Sequence, residues 1–240
     1  MTDLDKKFLE IRRFCEQHAN PANVKKYSWY FTEGYDAYGL DRKTLENQRD
    51  IWLEAWKNEM TPDDYLLLGD KLVSTGKYEE ASYAIVFMAN FKDQLDENHF
   101  NKIGHWLDDG IINWGHTDAL SSLILSYFFI NNQVKPDALK AWTLSPSKWK
   151  KRAIPVTLID VLKKGAKPEP MFEIIDPLMA DKDKFVQKGL GWFLRELWKI
   201  YPEITENFLM KWKDTCGRII IQYASEKMNK DQKIKFKKIK

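Results

Sequence analysis

Apolar residues recur every three or four positions along almost the whole chain, and the strict alternation of a half-buried strand is nearly absent. The spacing predicts helices. Leu4, Phe8, Ile11 and Phe14 mark one face of a helix over residues 3–15. Asn20-Pro21 reads as an N-cap followed by proline at the first helical position. Asp41 caps a helix that carries Leu45, Ile51, Trp52 and Trp56, and Thr61-Pro62-Asp63-Asp64 opens another with acids at the positive end of its dipole. Residues 64–73 and 77–91 form a helical hairpin broken at Thr75-Gly76. Further helices fall at 96–109, 116–130, 136–143, 147–163, 169–180, 184–200, 202–212 and 215–228. Residues 27–40, YSWYFTEGYDAYGL, read as a helix end and an aromatic loop, expected to pack on the helices that follow. The basic residues 229–240 read as a frayed tail.

About thirteen helices joined by short turns predict an all-α chain. With no Ser/Gly-rich linker to divide it, a single domain over 1–240 is expected. The spacing suits degenerate antiparallel helical pairs stacked as a curved α-solenoid with a concave inner face, and a plain helical bundle is the alternative.

Composition narrows the picture. At 240 residues, 44% hydrophobic and 30% charged, the chain is expected to bury a real core and stay in solution. A net charge of only +3 argues against a purely electrostatic nucleic-acid coat, yet it permits a basic face backed by acidic surface. Cys15 and Cys216 stand in no CxxC pattern, so a reducing cytoplasm fits better than a disulfide framework. No apolar run approaches the roughly 20 residues of a membrane span, and the charged N-terminus carries no signal-peptide core. There is no HExxH, GxxxxGK[ST], GxSxG or Rossmann glycine pattern, and the histidines show no ligand spacing beyond a loose His105/Asp108/Asp109 group. No metal, nucleotide or other cofactor is expected.

Three stretches carry candidate chemistry. On the helix over 184–200, Val186, Leu190, Phe193, Leu194 and Leu197 share one side. Lys188, Trp192, Arg195 and Lys199 fall within about 60° of arc on the other. That places an indole among cations, with Gly189 and Gly191 beside it as bare backbone. The arrangement suits nucleic acid, or else Trp192 packs on an adjacent helix and the cations are merely solvated. In Asn113-Trp114-Gly115-His116-Thr117-Asp118, His116 or Thr117 is expected to cap the next helix, placing Asp118 in its first turn. If the helical turn reaches back to Trp114, the four-residue spacing sets the indole beside the carboxylate. The plain alternative is a first-turn acid and a core tryptophan. In Ser147-Lys148-Trp149-Lys150-Lys151-Arg152-Ala153, four cations crowd a helix N-terminus where phosphates can bind, or form a solvated basic turn. Ile154, Leu158 and Val161 set Arg152 on roughly the side away from the core.

Together these stretches resemble the DNA alkylation repair glycosylase family called AlkD, built of HEAT-like helical repeats. The Asn20-Pro21 helix with Tyr30-Phe31, the Trp114/Asp118 pair, Trp149-Lys150-Lys151-Arg152-Ala153, and Gln187-Lys188-Gly189-Leu190-Gly191-Trp192-Phe193-Leu194-Arg195-Glu196 are similar to its segments in order and separation. Gly115-His116-Thr117 departs from the pattern and could alter the local turn. The resemblance implies a monofunctional glycosylase that removes positively charged N3- and N7-alkylpurines, such as 3-methyladenine and 7-methylguanine, from duplex DNA. It implies Asp118 as the catalytic carboxylate, Trp114 and Trp192 against the lesion deoxyribose, and Arg152 on the DNA. The helix face and the basic turn add Lys148, Lys151, Lys188, Arg195 and Lys199 as expected backbone contacts. A monomer acting on duplex DNA, without a membrane partner, is the expectation.

The implied chemistry is physically coherent. An alkylated purine is cationic, leaves neutral and needs no general acid. Positive charge builds on the sugar, where a carboxylate stabilises it, and indole faces attract such centres by roughly 0.5–2 kcal/mol. With no lysine between Trp114 and Asp118, lyase chemistry is not indicated. Two alternatives stay open: a non-catalytic relative that binds distorted or branched DNA, and a helical-repeat scaffold for protein partners.

Overall fold

Helices begin where the sequence supplies a cap. The computed structural model describes residues 2–237. Its α-helices are α1 Asp3–Gln17, α2 Pro21–Ser28, α3 Arg42–Trp56, α4 Pro62–Val73, α5 Tyr78–Asn90, α6 Glu97–Trp106, α7 Trp114–Leu120, α8 Ser126–Ile130, α9 Ala138–Trp142, α10 Lys148–Lys163, α11 Pro168–Ile175, α12 Lys184–Ile200, α13 Pro202–Trp212, α14 Arg218–Ala224 and α15 Lys230–Ile234. Short 3₁₀ turns follow α5 and α11, and a π-helical turn, Ser121–Leu125, joins α7 to α8. Among the described residues there is no β-strand. The all-α class expected from the patterning is therefore observed. Thr2, Asn20, Asp41, Thr61, Asn113 and Ser147 each cap a helix with a side-chain oxygen.

By contact the chain forms two compact units, which meet in sequence between Ile124 and Leu125, inside the π turn. In the first unit α5 packs against α1, α3, α4 and α7. Its core is aromatic: Trp52 stacks on Trp56 at 5.5 Å and meets Tyr83 edge-on at 5.1 Å, while Tyr65 lies 5.3 Å from Phe87. Arg12 of α1 reaches the fully buried Glu80 through Nε at 3.0 Å and Nη2 at 3.1 Å.

The next residue back, Glu79, is also buried and does a different job. Its Oε1 accepts the backbone N–H groups of Gly39 and Leu40 at 2.7 and 3.1 Å, and its Oε2 that of Tyr38 at 2.8 Å. This carboxylate pins the end of the aromatic segment. Gly39 is required there, because its φ is +86° and a Cβ would stand 2.3 Å from the Asn20 carbonyl oxygen.

In the second unit α12 packs between α10 and α14, with α13 on a further side. Helix α10 runs unbroken through Pro155 and is buried nearly all round, the signature of a central rather than a surface helix. The tail departs from its expected fraying. Asn229 caps α15, Phe236 is 1% exposed, and Arg218 Nη1 donates to the Phe236 carbonyl at 2.8 Å. One apolar residue spaced beyond a short helix anchors residues 229–237; the rest of the tail lies outside the described residues.

Candidate active site and nucleic-acid interface

Helix α7 starts earlier than the sequence suggests. Asn113, not His116 or Thr117, is the N-cap, and its Oδ1 accepts the His116 N–H at 2.8 Å. The early start has two consequences. Trp114 becomes the first helical residue, so Trp114 and Asp118 share one face a turn apart, both half-buried. Asp118 becomes the fifth helical residue, beyond the first turn, so the dipole favours its charge less than the expected placement did. Immediately after it the helix widens into the π turn, and Ser122 Oγ donates to the Asp118 carbonyl at 2.9 Å. Single π turns recur at functional sites.

The Trp114 indole is held from the side. Its Nε1 donates to the Tyr30 carbonyl at 3.1 Å, and its ring stacks on Phe31 at 5.6 Å. Phe31 in turn stacks on Tyr35 at 4.8 Å with an interplanar angle of 8°. These rings wall a cavity of about 520 Å³ floored by Tyr78, Ser82 and His116. Helix α7 turns Trp114, Gly115, His116 and Ala119 to this cavity, and Asp118 stands off its wall.

His116 locks the start of α7. Because Asn113 Oδ1 is taken by the His116 backbone, the amide group 2.9 Å from His116 Nδ1 is the NH₂ donor. Nδ1 therefore accepts, and the ring proton sits on Nε2, which donates to Ser82 Oγ at 2.9 Å. Ser82 Oγ passes its own proton to the Tyr78 carbonyl at 2.8 Å, and the Tyr78 ring stacks on the imidazole at 4.2 Å. Burial lowers the His116 pKa to about 4 and keeps the ring neutral.

In the second unit the basic turn is not a row of solvated cations. Arg152 is 6% exposed and donates from Nη1 to the Phe185 carbonyl at 2.8 Å, so it lies in the core rather than opposite it. Lys150 is buried over the Trp142 ring at 5.1 Å, and Lys151 pairs with Asp181 at 3.0 Å. Lys148 Nζ lies 5.0 Å from the Trp149 ring and 5.5 Å from the Phe185 ring. Around that same Phe185 ring come Lys184 at 5.0 Å and Lys188 at 5.9 Å. Three ammonium groups thus gather over one aromatic ring at the N-terminal end of α12. Lys184 is a member that sequence reasoning passed over, though it directly precedes the Phe185 that opens the recognisable segment.

On α12 itself the two faces fall as expected, with Leu190, Phe193, Leu194 and Leu197 fully buried and Trp192 half-buried. The cations further along are engaged within the protein. Arg195 meets Glu196 at 3.1 Å and Glu226 at 2.5 Å, and Lys199 meets Glu196 at 2.7 Å. Burial raises the Glu196 pKa, but the hydrogen bonds from Lys199 and Arg195 outweigh it and leave the carboxyl below its ordinary value. The glycines also take a different role from the one expected. A Cβ on Gly191 would stand 2.4 Å from Tyr223 Cβ, and one on Gly189 would stand 3.3 Å from Arg152 Cγ. What approaches the bare backbone is α14 and α10, not a ligand.

Among the described residues no group of three or more His, Cys, Asp or Glu side chains is placed to hold a metal ion. Both cysteines are free, and burial pushes both thiols up. Among the described residues no helix is long and apolar enough to cross a membrane.

The fold is all-α, and comparison with known proteins gives the family. Residues 11–228 match the family model described as DNA alkylation repair enzyme. The chain belongs to that family. Its fold is similar to a solved structure described as a predicted DNA alkylation repair enzyme from Enterococcus faecalis, with a TM-score of 0.74 at 14% identity over 89% of this chain and 98% of that one. The all-helical chain is consistent with the HEAT-like fold of that family. No curated protein sequence matches significantly.

Proposed function

We propose that the protein is a monofunctional DNA glycosylase that releases N3- and N7-alkylated purines, such as 3-methyladenine and 7-methylguanine, from duplex DNA in base excision repair. The observation that carries the reading is Trp114 and Asp118 a turn apart on one face of α7, the indole fixed by Tyr30 and Phe31. The C1′–N bond breaks with its electron pair moving to the alkylated base, which leaves neutral. The Asp118 carboxylate stabilises the positive sugar and takes a proton from the water that adds at C1′. Trp114 offers a π face to the sugar cation, and Trp192 offers an indole to the DNA from the second unit. Lys148 and Lys188, with Lys184, hold phosphates, while Arg152 works from beneath by fixing the first turn of α12 through the Phe185 carbonyl. Lys151, Arg195 and Lys199 add positive potential from within their ion pairs.

Incubation with methylated duplex DNA, with released bases identified by mass, tests the reading. Single-turnover release of 7-methylguanine should fall about 10²- to 10³-fold in Asp118→Asn with DNA affinity kept, the usual cost of removing a preorganised transition-state charge. Uracil and undamaged purines should remain in the DNA. Equal rates for parent and variant would remove Asp118 from the reaction, and efficient uracil release would show leaving-group activation that the site does not provide.

A further inference from the structure

Helix α2 has no buried residue, and the chain leaves it through two adjacent aromatic side chains whose rings are tilted 33° to each other. Trp29 is 69% exposed and Tyr30 is 49% exposed, with ring centroids 4.1 Å apart. Exposing a paired indole and phenol forfeits hydrophobic stabilisation, so the pair needs a ligand or a partner. The plate is also held firmly. The Asn20 N–H donates to the Tyr38 carbonyl at 2.8 Å, Asn23 Nδ2 donates to the Gly39 carbonyl at 3.0 Å, and Glu79 pins that same loop. The Tyr30 carbonyl accepts the Trp114 indole proton, so the plate is physically joined to the face of α7 that carries Asp118.

The surroundings identify the occupant. Lys25 and Lys26 lie four and three residues before Trp29, on its side of the helix end, and both are exposed. Neither is ion-paired among the described residues, Lys26 lying over the Tyr27 ring at 5.2 Å, and of the two acids further along the segment, Glu33 and Asp36, the second is taken by Lys77. An exposed aromatic surface edged by two ammonium groups outside any ion pair is complementary to a base and its flanking phosphates, whereas an apolar protein face would leave both charges unmatched.

We propose that Trp29 and Tyr30 form a stacking plate for an unstacked base of DNA, with Lys25 and Lys26 holding the adjoining phosphates. The proposal rests on DNA being the substrate, as in the reading above, and does not depend on bond cleavage.

The test is equilibrium binding of the full chain to an intact duplex and to the same duplex carrying one unpaired 2-aminopurine, whose fluorescence is quenched on stacking. The parent should prefer the second duplex and quench it. Trp29→Ala should lose about 5- to 150-fold in affinity for that duplex alone, the range for one base stacked on an aromatic ring. Trp29→Phe should recover most of the loss and the quench. Lys25→Ala and Lys26→Ala should weaken both duplexes alike, each flattening the log–log salt slope by about 0.9. Because Trp29 lies outside the core, thermal melting should show the variants folded. Equal affinity of parent and Trp29→Ala for both duplexes would overturn the plate and assign the patch to another occupant, such as a protein. Preference and quenching by a parent that releases no alkylated base would uphold the plate and sink the glycosylase reading. A parent that binds neither duplex would sink both.

Discussion

His116 and Ser82 meet at 2.9 Å between Nε2 and Oγ, and this bond ties the first turn of α7 to α5. The network is complete only with a neutral imidazole, because Nδ1 must accept from Asn113 Nδ2 while Nε2 donates to Ser82. Protonation would set two N–H donors face to face.

A pH dependence follows. The folded pKa of about 4 lies below the ordinary histidine value of 6.5, so between those values the unfolded chain binds more protons than the folded one. Stability from this group is complete above about pH 6.5 and is lost as pH falls toward 4, at no more than about 1.4 kcal/mol per pH unit. Urea unfolding of the parent and of His116→Gln at pH 7 and pH 5 checks it. The parent should lose stability over that interval by more than the variant does. Equal losses would show that His116 does not titrate with folding.

At Gly191 an added methyl meets Tyr223 Cβ at 2.4 Å and the Ile220 carbonyl oxygen at 2.9 Å. Gly191→Ala should force α12 and α14 apart. Overpacking of this kind costs typically about 1–3 kcal/mol, against at most about 1 kcal/mol gained in helix propensity. Gly189→Ala, whose methyl would stand 3.3 Å from Arg152 Cγ and 3.4 Å from Pro155 Cγ, makes a wider contact and should cost less. Melting temperatures ranked parent, Gly189→Ala, Gly191→Ala in falling order are expected, and an unchanged Gly191→Ala would refute the close packing.

Most helices were legible because they announce themselves locally, by a cap or by a 3.6-residue stripe. The four-residue spacing of Trp114 and Asp118 was legible only as a condition, because it required α7 to start before His116. What sequence could not supply was the environment of side chains whose partners lie far along the chain. Arg152 looks like a surface cation until α10 proves to be buried all round. Gly191 looks like a gap for a ligand until Tyr223 fills it. Glu79 looks like an ordinary first-turn acid, yet it takes three backbone N–H groups some forty residues away. The Asn113 cap was a local signal and was readable, but His116 and Thr117 competed for the same role.

The anchored tail gives a third expectation. Phe236 is buried to 1% exposure and its carbonyl is held by Arg218. Phe236→Ala should cost roughly 3 kcal/mol, the lower end for a buried phenylalanine, and should speed amide exchange at residues 218–236 before the rest of its unit. Exchange unchanged from the parent would mean that the tail contributes nothing to that unit's stability.

The last expectation separates a residue that touches DNA from one that positions others. Lys188 is half-buried and over the Phe185 ring, while Arg152 is buried and bonded to the Phe185 carbonyl. Lys188→Ala should leave stability within about 0.5 kcal/mol of the parent, as for substitutions outside the core, and flatten the log–log salt slope of DNA binding by about 0.9. Arg152→Ala removes a charged donor from a buried carbonyl, which costs about 1.5–3 kcal/mol. Its effect on binding should arise through a loosened first turn of α12, so affinity should fall while the salt slope changes little. Denaturant unfolding and salt titrations of both variants supply the four numbers needed. If Arg152→Ala instead keeps full stability and loses a whole unit of slope, its guanidinium reaches a phosphate directly, and the buried bond to Phe185 gives way when DNA is bound.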